Sequence, residues 1–450
     1  MIQIRFILVA AVFCCIAYAQ NEPFALGADI SWIPQREAGG VKYADNGQVK
    51  DIFEILKEHK FNYIRLRLFV DPTAKIPNES ESPYSTAGYC GLNSTISMAK
   101  RVKAAGMKFL LDFHYSDTWA DPGKQYKPMS WQDLTTLSQL SAKVRSYTKE
   151  TLETFKAQGV LPDMVQIGNE TVSGMIWDVG KNYSPGSWSN FATLVNAGID
   201  GVRDVDANIK IMVHTINEKN PQSWLTSLKN AGATRIDVIG LSYYTQWHGQ
   251  PDSLQRVVTR IATAHPEVKI AVAEYSGNHR TVNDIIFNIP NNKGFGTFVW
   301  EPADWEDEDK NGKKYGNVLF DWKNNRRETN TLIDLYPQMA IDYAVSSSSV
   351  RSSSSVMPSS SSSGAVSSSS SDSGSTPILP QIAASYATAQ ISVQSATGNV
   401  IVLENLPSNA KVEVYSLRGE RVYASISSAG TRLAVPISTK GVYIVKISTP

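Results

Sequence analysis

Cysteine is scarce in this chain. Among 450 residues there are three, Cys14, Cys15 and Cys90. The first two lie inside an N-terminal apolar run that we expect to be removed, which leaves Cys90 without a partner. Because a single cysteine supplies no disulfide framework, the fold must be stabilised by its hydrophobic core. Histidine is also sparse, and no pair of the six histidines has metal-ligand spacing.

Excess charge of one sign and long apolar runs are also missing. The 43 basic residues nearly balance the 42 acidic ones, which argues against nucleic acid or an anionic membrane as a partner. The apolar run from Phe6 to Ile16 is too short for a typical membrane span. Arg5 precedes this run and the small-residue site Ala17–Ala19 follows it. This pattern predicts a signal peptide over residues 1–19, and therefore a secreted protein.

Serine dominates one internal segment, residues 345–376. Such a composition cannot bury enough apolar surface to offset the entropy of ordering, so we interpret it as a flexible linker. The linker divides the chain into a large domain, residues 20–344, and a small C-terminal module, residues 377–450.

The large domain alternates short apolar runs with longer amphipathic stretches such as Leu137–Ala157. Gly106, Gly159 and Gly232 follow three of these stretches, as glycines at helix C-caps do. The alternation predicts a (β/α)8 TIM barrel. A doubly wound sheet would give the same rhythm, but no glycine-rich phosphate loop follows any of the runs. The eight predicted strands are Leu26–Ile30, Tyr63–Phe69, Met107–Phe113, Met164–Ile167, Ile209–His214, Val238–Ser242, Val268–Ala273 and Phe295–Trp300.

The C-terminal module has a different pattern. Its short runs, several of them alternating, are separated by turn residues, which predicts a small all-β sandwich. The runs are Asn399–Leu403, Lys411–Tyr415, Arg421–Ser425, Arg432–Pro436 and Val442–Ile447.

Polar residues collect where the barrel strands are predicted to end, and in a barrel the chemistry lies at that face. Two of them are glutamates, Glu170 and Glu274, and a charge directly after a buried strand is costly unless it is paired or used. Two carboxyl groups on one face suit glycoside hydrolysis; the alternative is a structural ion pair with Arg65 or Arg67. The full set is Asp29, Arg65, His114, Asn169, Glu170, Tyr243, Glu274 and Trp300.

The segment from Asp112 to Gln125 is rich in residues that bind sugars. It reads DFHYSDTWADPGKQ and follows a predicted strand. Flat aromatic faces cover sugar rings, and carboxylates accept hydrogen bonds from hydroxyl groups, so the segment predicts a polysaccharide cleft. The alternative is an ordinary polar loop.

The sequence of the large domain resembles the family 53 glycoside hydrolases. These are endo-β-1,4-galactanases within a large clan of retaining (β/α)8 enzymes. The matching motifs run through the large domain in order, and HYSDTWADP is the most specific of them. They are GADISW (Gly27–Trp32), YIRLRLFVDP (Tyr63–Pro72), AKRVKAAGMKFLLDFHYSDTWADPGKQ (Ala99–Gln125), QIGNE (Gln166–Glu170), IGLSYY (Ile239–Tyr244) and FVWEPA (Phe298–Ala303).

The resemblance implies a role for each strand-end residue. Glu170 becomes the acid/base and Glu274 the nucleophile, with carboxyl groups about 5–5.5 Å apart in a retaining enzyme. Arg65 and Tyr243 would orient the nucleophile, and Asn169 would bind the sugar 2-hydroxyl. Substrate contacts would come from Asp29, Arg65, His114, Trp119, Asn169, Tyr243 and Trp300, where Trp119 and Trp300 are either stacking faces or core residues.

One motif departs from the family pattern. The family usually places a Thr after its nucleophile, whereas here Tyr275 and Ser276 follow Glu274, and the segment onward to Phe295 is short. We keep β-1,4-galactan, the galactan of type I arabinogalactan in pectin, as the predicted substrate. The alternatives are a clan hydrolase acting on another β-1,4-glycan, such as mannan or glucan, and a catalytically inactive carbohydrate-binding barrel.

The predicted chemistry requires no cofactor, but an acidic segment after the eighth strand suggests structural Ca²⁺. Asp307, Asp309, Asn311 and Gly312 have the spacing of the first half of a calcium loop, although the usual final Glu is absent. Some bacterial members of the resembled family bind calcium that pins long barrel loops. A solvated acidic loop is the alternative.

The C-terminal module resembles the sorting domains that some Gram-negative bacteria append to exported hydrolases, notably in its ending GVYIVKI (Gly441–Ile447). The resemblance implies contact with secretion machinery and attachment at the cell surface. A carbohydrate-binding module is the alternative, but the module contains no Trp to stack on sugars. We expect the whole chain to act as a monomer.

Overall fold

The computed structural model describes residues 22–218, 220–304 and 318–352, and six strands between residues 392 and 448. The chain falls into two compact units, Met1–Met357 and Pro358–Pro450. The predicted signal peptide (1–19) and the predicted calcium residues Asp307, Asp309 and Asn311 lie outside the described residues.

The first unit is built on eight parallel strands that close into a barrel. Each strand pairs with the next along the chain, and the last pairs with the first. This confirms the predicted (β/α)8 barrel. The strands are β1 Ala25–Asp29, β2 Tyr63–Leu68, β3 Lys108–Phe113, β4 Met164–Ile167, β5 Lys210–Ile216, β6 Val238–Tyr243, β7 Lys269–Tyr275 and β8 Gly294–Trp300.

The strand sequences are nearly continuous apolar runs because both faces of each strand are covered. Side chains that point inward fill the barrel, for example Tyr63, Met164 and Phe298. Their neighbours point outward against the helices, as Ile64 and Val165 do. The barrel interior is therefore a packed core, and its open polar end is left for the site.

The helices form the outer layer, and the predicted C-cap glycines are correctly placed. Gly106, Gly159 and Gly232 all have positive φ (69°, 71° and 104°), the left-handed conformation that ends a helix. The helices are α1 Ile33–Ala38, α2 Ile52–Glu58, α3 Leu92–Ala104, α4 Leu137–Ala157, α5 Trp188–Arg203, α6 Pro221–Asn230, α7 Thr245–His248, α8 Pro251–Ala264, α9 His279–Phe287 and α10 Leu335–Ser352.

Helix α10 continues to Ser352, beyond residue 345 where we expected the linker to begin. Its first turns pack into the barrel core through Tyr336, Met339 and Tyr343, which are buried. The two compact units divide between Met357 and Pro358, inside the predicted linker.

A small four-stranded sheet outside the barrel was not predicted. It joins Tyr43–Asp45 and Gln48–Lys50, which follow α1, to Phe320–Lys323 and Arg326–Thr329, which follow β8. Three- and four-residue strands are too short to show a repeating pattern in the sequence. The sheet holds the segment after β1 against the segment after β8.

The second unit contains two three-stranded antiparallel sheets. Each of the five predicted runs coincides with a strand to within a few residues, and Ser392–Ser395 is an additional one. The first sheet contains Ser392–Ser395, Val400–Glu404 and Leu433–Pro436, and the second contains Arg421–Ile426, Lys411–Ser416 and Tyr443–Ser448. In the central strand of the second sheet Val412 and Val414 are buried. Within the described parts of the chain, the helices are all too short or too polar to cross a membrane.

Candidate active site

Arg65 lies at the centre of the barrel mouth and is completely buried. Its Nη1 donates to Asp29 Oδ2 at 2.8 Å, and its Nη2 donates to Asp112 Oδ2 and Asn169 Oδ1, both at 2.8 Å. The same Nη2 lies 2.9 Å from Glu274 Oε1. Burial opposes the charge, but the attraction of Asp112, Glu274 and Asp29 outweighs it and raises the pKa of Arg65. The guanidinium is therefore permanently charged and holds four strand ends together.

Glu274 is the penultimate residue of β7, inside the strand rather than after it. Ala271 and Ala273 point into the barrel, so regular alternation would direct Glu274 outward. A register shift against β6 interrupts the alternation, since Leu241 pairs with Val272 but the next residue, Ser242, pairs with Glu274. This β-bulge turns Glu274 towards the mouth. Only residues 276–278 lie between β7 and α9.

Tyr244, and not Tyr243, contacts Glu274. The Tyr244 hydroxyl donates to Glu274 Oε2 at 3.1 Å, whereas the Tyr243 hydroxyl donates to the Gly249 carbonyl at 2.9 Å. The prediction that Tyr243 orients the nucleophile is therefore wrong. Side chains alternate along β6, and Ser242 and Tyr244 face the mouth while Tyr243 faces away. In the sequence pair Tyr243-Tyr244 nothing distinguished the two.

Glu274 forms an ion pair with Arg65, as the alternative interpretation of the sequence suggested. A carboxyl group of an active site can form such an ion pair as well. Burial raises the pKa of Glu274 to about 7, against the opposing attraction of Arg65 and the hydrogen bond from Tyr244. Both oxygens are thus engaged by groups that favour the ionised form.

Glu170 follows β4 in a left-handed backbone conformation, with φ 45° and ψ 47°. This conformation is uncommon for a residue other than glycine and is typical of functional sites. The Glu170 N–H donates to Nδ1 of His214 at 3.2 Å, which holds the turn. Burial, and then repulsion from Glu274, raises the pKa of Glu170 to about 8.

The environments of the two carboxyl groups separate their protonation states. Arg65 and Tyr244 bind Glu274 directly and favour its charge, while Glu170 has the more strongly raised pKa. These contacts favour a proton on Glu170 over one on Glu274. One neutral and one ionised carboxyl group is the arrangement required of a general acid beside a nucleophile.

The segment Asp112–Gln125 folds against the end of β4. His114 Nε2 lies 3.0 Å from Asp112 Oδ2, and its Nδ1 accepts the Ala120 N–H at 3.1 Å. Asn169 Nδ2 donates to the Ala120 carbonyl at 2.8 Å, and Gln125 Nε2 donates to the Asn169 carbonyl at 2.8 Å. His114 and Asn169, both predicted site residues, are thus locked in place beside Arg65.

Three tryptophans surround a second buried arginine, Arg67. Its guanidinium carbon lies 4.6 Å from the ring centre of Trp119, 5.0 Å from that of Trp300 and 5.4 Å from that of Trp32. Trp119 and Trp32 are partly exposed, and Trp300 is 9 % exposed. The Trp300 ring also lies 6.0 Å from the guanidinium of Arg65. The predicted stacking residues Trp119 and Trp300 therefore share one aromatic cluster with Trp32, which the sequence did not single out.

Glu301 is a buried carboxyl group that sequence reasoning missed. It directly follows Trp300 at the end of β8, with φ 37°. Its Oε1 accepts Arg67 Nη1 at 2.8 Å and the Trp32 N–H at 3.0 Å. Burial raises its pKa although Arg67 opposes the rise. The criterion that selected Glu170 and Glu274, a charge at the end of a buried strand, would have found it.

Polar residues inside the strands were missed as well. Gln166 in β4 accepts Arg65 Nε at 3.2 Å through Oε1 and donates to Asp112 Oδ1 at 2.6 Å through Nε2. His214 in β5 contacts Gln166 and Glu170. The sequence signal that could have identified both residues is a polar side chain within an otherwise apolar strand. In the described ranges, no group of three His, Cys, Asp or Glu side chains is arranged to hold a metal ion.

A closed parallel barrel whose mouth carries two carboxyl groups, one of them bound by an arginine, flanked by tryptophans, is the framework of a (β/α)8 glycoside hydrolase. Residues 25–284 match the sequence profile of Glycosyl hydrolase family 53, and the chain belongs to this family. It is therefore a glycoside hydrolase.

Named relatives agree with that membership. The chain is 35% identical over 265 residues to an arabinogalactan endo-beta-1,4-galactanase of Cellvibrio japonicus, covering 57% of this chain and 67% of the relative. It is 32% identical over 321 residues to an endo-beta-1,4-galactanase of Bacillus subtilis, covering 63% and 71%. Among solved structures, a family 53 catalytic domain from Ignisphaera aggregans superposes with a TM-score of 0.62 at 30% identity, covering 70% of this chain and 96% of that one.

Proposed function

We propose that the protein is an endo-β-1,4-galactanase that cleaves the galactan of type I arabinogalactan in pectin, with retention of anomeric configuration. The relatives named as galactanases support the substrate. One observation carries the chemistry: Glu274 is bound by Arg65 and Tyr244, while the pKa of Glu170 is raised to about 8.

In the first step, a Glu274 oxygen forms a bond to the anomeric carbon as the bond to the leaving oxygen breaks. Glu170 gives its proton to that oxygen and becomes a carboxylate, so the leaving chain departs as a neutral alcohol. Arg65 and Tyr244 keep Glu274 ionised before the attack. The products of this step are a glycosyl-enzyme ester at Glu274 and an ionised Glu170.

In the second step, Glu170 removes a proton from water as the water oxygen bonds to the anomeric carbon and the ester bond to Glu274 breaks. Both glutamates return to their initial states, and the sum of the two steps is hydrolysis. The mechanism uses carboxyl groups and water, and needs no cofactor.

The remaining mouth residues bind the sugar in this proposal. Asn169 uses its Oδ1 on Arg65 and one Nδ2 hydrogen on the Ala120 carbonyl. Its second Nδ2 hydrogen is left to donate to the sugar 2-hydroxyl. His114 is fixed by Asp112 and supports the same sugar, and Trp300 and Trp119 cover its apolar face. Asp29 acts indirectly, by fixing Arg65.

We further propose that the protein is exported and acts outside the cell as a monomer. The predicted signal peptide over residues 1–19 supports export, and the all-β C-terminal module is proposed to engage secretion machinery or the cell surface. A reporter carrying residues 358–450 tests the module: retention of the fusion inside the producing cell would contradict the sorting role.

The substrate is tested by measuring reducing sugar released from linear β-1,4-galactan, β-mannan and carboxymethylcellulose. We expect release from galactan and little from the other two. Release chiefly from mannan or carboxymethylcellulose would assign the enzyme to another β-1,4-glycan. No release from any polymer, with retained binding to galactan, would leave a carbohydrate-binding barrel.

The catalytic pair is tested by Glu170→Gln and Glu274→Gln. Each should lower kcat on galactan by at least about 100-fold, since each removes an acid/base or nucleophilic group. With an aryl glycoside whose leaving group needs no proton, Glu170→Gln should keep a fast first step, measured as a burst of phenol. Glu267→Gln, at an exposed glutamate before β7, is the matched control. Near-normal turnover by Glu274→Gln would place the nucleophile elsewhere.

A further inference from the structure

His214 lies next to the turn that carries Glu170. It belongs to β5, whose last pair with β4 joins Val213 to Ile167, so His214 comes directly after the paired part of these two strands. Met212 points into the barrel, and the alternation of side chains directs His214 to the same side. The side chain of His214 is completely buried. A polar ring is thus placed beside the residue that the proposed mechanism uses as acid and base.

His214 contacts this turn twice. Its Nδ1 accepts the Glu170 backbone N–H at 3.2 Å, and its backbone carbonyl accepts the Thr171 hydroxyl at 2.8 Å. Glu170 has the left-handed backbone conformation, which a residue other than glycine keeps only when its surroundings hold it. Both contacts come from one residue of the neighbouring strand, so His214 directly supports the turn.

The Glu170 N–H also determines which ring nitrogen of His214 carries a proton. A backbone N–H can only donate, so the Nδ1 that receives it must present a lone pair. Gln166 Nε2, an amide donor, lies 3.1 Å from the same Nδ1. The single N–H of a neutral ring is then on Nε2, which lies 3.0 Å from Ser242 Oγ and donates to it. Burial and the charge of Arg65, which hold the pKa of His214 well below its usual value, agree with a neutral ring.

One contact favours the opposite tautomer. Asn169 Oδ1 lies 2.9 Å from Nδ1 of His214, a distance that would suit an N–H on Nδ1. That oxygen already accepts Arg65 Nη2 at 2.8 Å, so it has a donor without His214. A proton on Nδ1 would leave the Glu170 N–H facing another N–H. The tautomer with an unprotonated Nδ1 is therefore the one that keeps the Glu170 N–H paired.

We propose that His214 is a positioning residue for the acid/base: the unprotonated Nδ1 of its neutral ring fixes the backbone turn from which the Glu170 carboxyl group reaches the leaving oxygen. The proposal rests on the proposed function and deepens it, because it names what holds the proton donor in place. His214 is completely buried and acts through Glu170. Without this acceptor Glu170 could leave the left-handed conformation, and its carboxyl group would be displaced from the leaving oxygen.

The tautomer is tested by long-range ¹H–¹⁵N correlation spectra of the full chain labelled with ¹⁵N-histidine, in which His214 is assigned by comparison with His214→Asn. We expect a neutral ring that is protonated on Nε2 and unprotonated on Nδ1. A proton on Nδ1, donated to Asn169, would overturn the proposal, and so would a doubly protonated ring at neutral pH. The measurement needs no substrate, so it is independent of the galactanase activity.

The functional role is tested by a matched pair of substitutions, His214→Asn and His214→Gln. The Asn carbonyl oxygen can take the place of Nδ1 and accept the Glu170 N–H, whereas the longer Gln amide reaches the place of Nε2 and faces Ser242. On galactan, kcat should fall by about 10-fold or more in His214→Gln and clearly less in His214→Asn, because a small misplacement of a catalytic group is costly. A loss caused only by lost side-chain volume would follow the reverse order, since Asn leaves the larger cavity.

The loss in His214→Gln should also depend on the leaving group. A displaced acid slows the departure of a galactan chain, which needs a proton, but does not slow that of a phenol whose aryl glycoside needs none. The burst of phenol should therefore stay fast, as in Glu170→Gln. Equal losses on both substrates would show a merely structural residue and overturn the proposal.

Thr215→Val is the control for a change in the same strand. Thr215 is the next residue of β5, and its buried Oγ1 has no hydrogen-bond partner among the described residues. The substitution keeps the shape of the side chain, so kcat and the tautomer of His214 should both stay unchanged. A loss of kcat equal to that of His214→Gln would contradict a specific role for His214.

The outcomes separate this proposal from the proposed function. No release of sugar from galactan by the wild-type chain would reject the galactanase, and the tautomer would still decide whether His214 holds the Glu170 turn. If neither His214 variant folds, the wild-type spectrum alone decides: a proton on Nε2 supports the proposal, and a proton on Nδ1 overturns it.

Discussion

At the scale of single residues, the proposed chemistry depends on which of two glutamates holds the proton. Arg65 and Tyr244 contact Glu274 directly, at 2.9 Å and 3.1 Å. Glu170 has no such cationic contact and is repelled by Glu274, so its pKa is the higher of the two. In the proposed mechanism, identical side chains thus take different roles because their neighbours differ.

The hydroxyl of Tyr244 is expected to set the acidic limb of activity. Its hydrogen bond lowers the pKa of Glu274, so Tyr244→Phe should raise that pKa. Because the proposed mechanism requires an ionised Glu274, the acidic limb of kcat/KM on galactan should move to higher pH, by roughly 0.5–1 unit. Tyr243→Phe, which loses only the bond to the Gly249 carbonyl, should leave the limb in place. The reverse result would restore Tyr243 to the site.

The alternation of side chains along a strand explains why the sequence located some mouth residues and misplaced others. Glu170 and Asn169 follow β4 as expected, so the sequence placed both at the mouth. The prediction for Tyr243 was wrong because Tyr243, the last residue of β6, faces away from the mouth, whereas the next residue, Tyr244, faces it. The reasoning that selected Glu274, a charge at the end of a buried strand, would also have selected Glu301, which was overlooked.

At the scale of elements, the segment Asp112–Gln125 is held by its own polar side chains. Asp117 is almost fully buried, and its two oxygens accept the backbone N–H groups of Asp71 and Met129 at 2.9 Å and 2.6 Å. Polar residues in this segment therefore serve two purposes: some face the site, and others fix the loop that presents them.

Asp117→Ala should loosen this segment. Two backbone donors would lose their acceptor, at a cost of roughly 1–3 kcal/mol in the free energy of unfolding. KM for galactan should also rise, because Trp119 and His114 lie in the same segment. Urea denaturation and galactan kinetics measure both effects. Asp133→Ala, an exposed acid just beyond the segment, is the control, and equal stability of the two variants would contradict a structural role for Asp117.

At the scale of the whole molecule, the hydrolase barrel and the C-terminal module are separate compact units. The boundary is important, because α10 belongs to the barrel: Tyr336 stacks on Phe61 at 4.2 Å and its hydroxyl lies 2.8 Å from that of Tyr275, next to Glu274.

A chain ending at Met357 should keep the kcat and KM of the full chain on soluble galactan. The proposed catalytic residues, their supporting helices and α10 are all retained in it. A chain ending before Tyr336 should lose stability, measured by thermal melting, because the buried contacts of that ring are removed. A large loss of kcat in the first truncation would show that the module contributes to catalysis.

The calcium hypothesis for Asp307, Asp309 and Asn311 stays a prediction, since those residues lie outside the described part of the chain. If their oxygens hold Ca²⁺, a chelator should lower the melting temperature of the protein, and added Ca²⁺ should restore it. An unchanged melting temperature would favour a solvated acidic loop.

The sequence by itself determined the barrel, the all-β module and the strand ends that carry Glu170 and Arg65. Hydrophobic period and composition are local properties of the chain. Eight buried parallel strands separated by helices therefore produce a clear alternation of strand and helix patterns in the sequence. Only the tertiary structure decided the direction of the Glu274 side chain, which a bulge in β7 turns inward, the choice of Tyr244 over Tyr243, and the hydrogen bonds of His214 with the Glu170 backbone and with Ser242. These depend on the register between neighbouring strands and on distances between residues far apart in the chain, which no local pattern encodes.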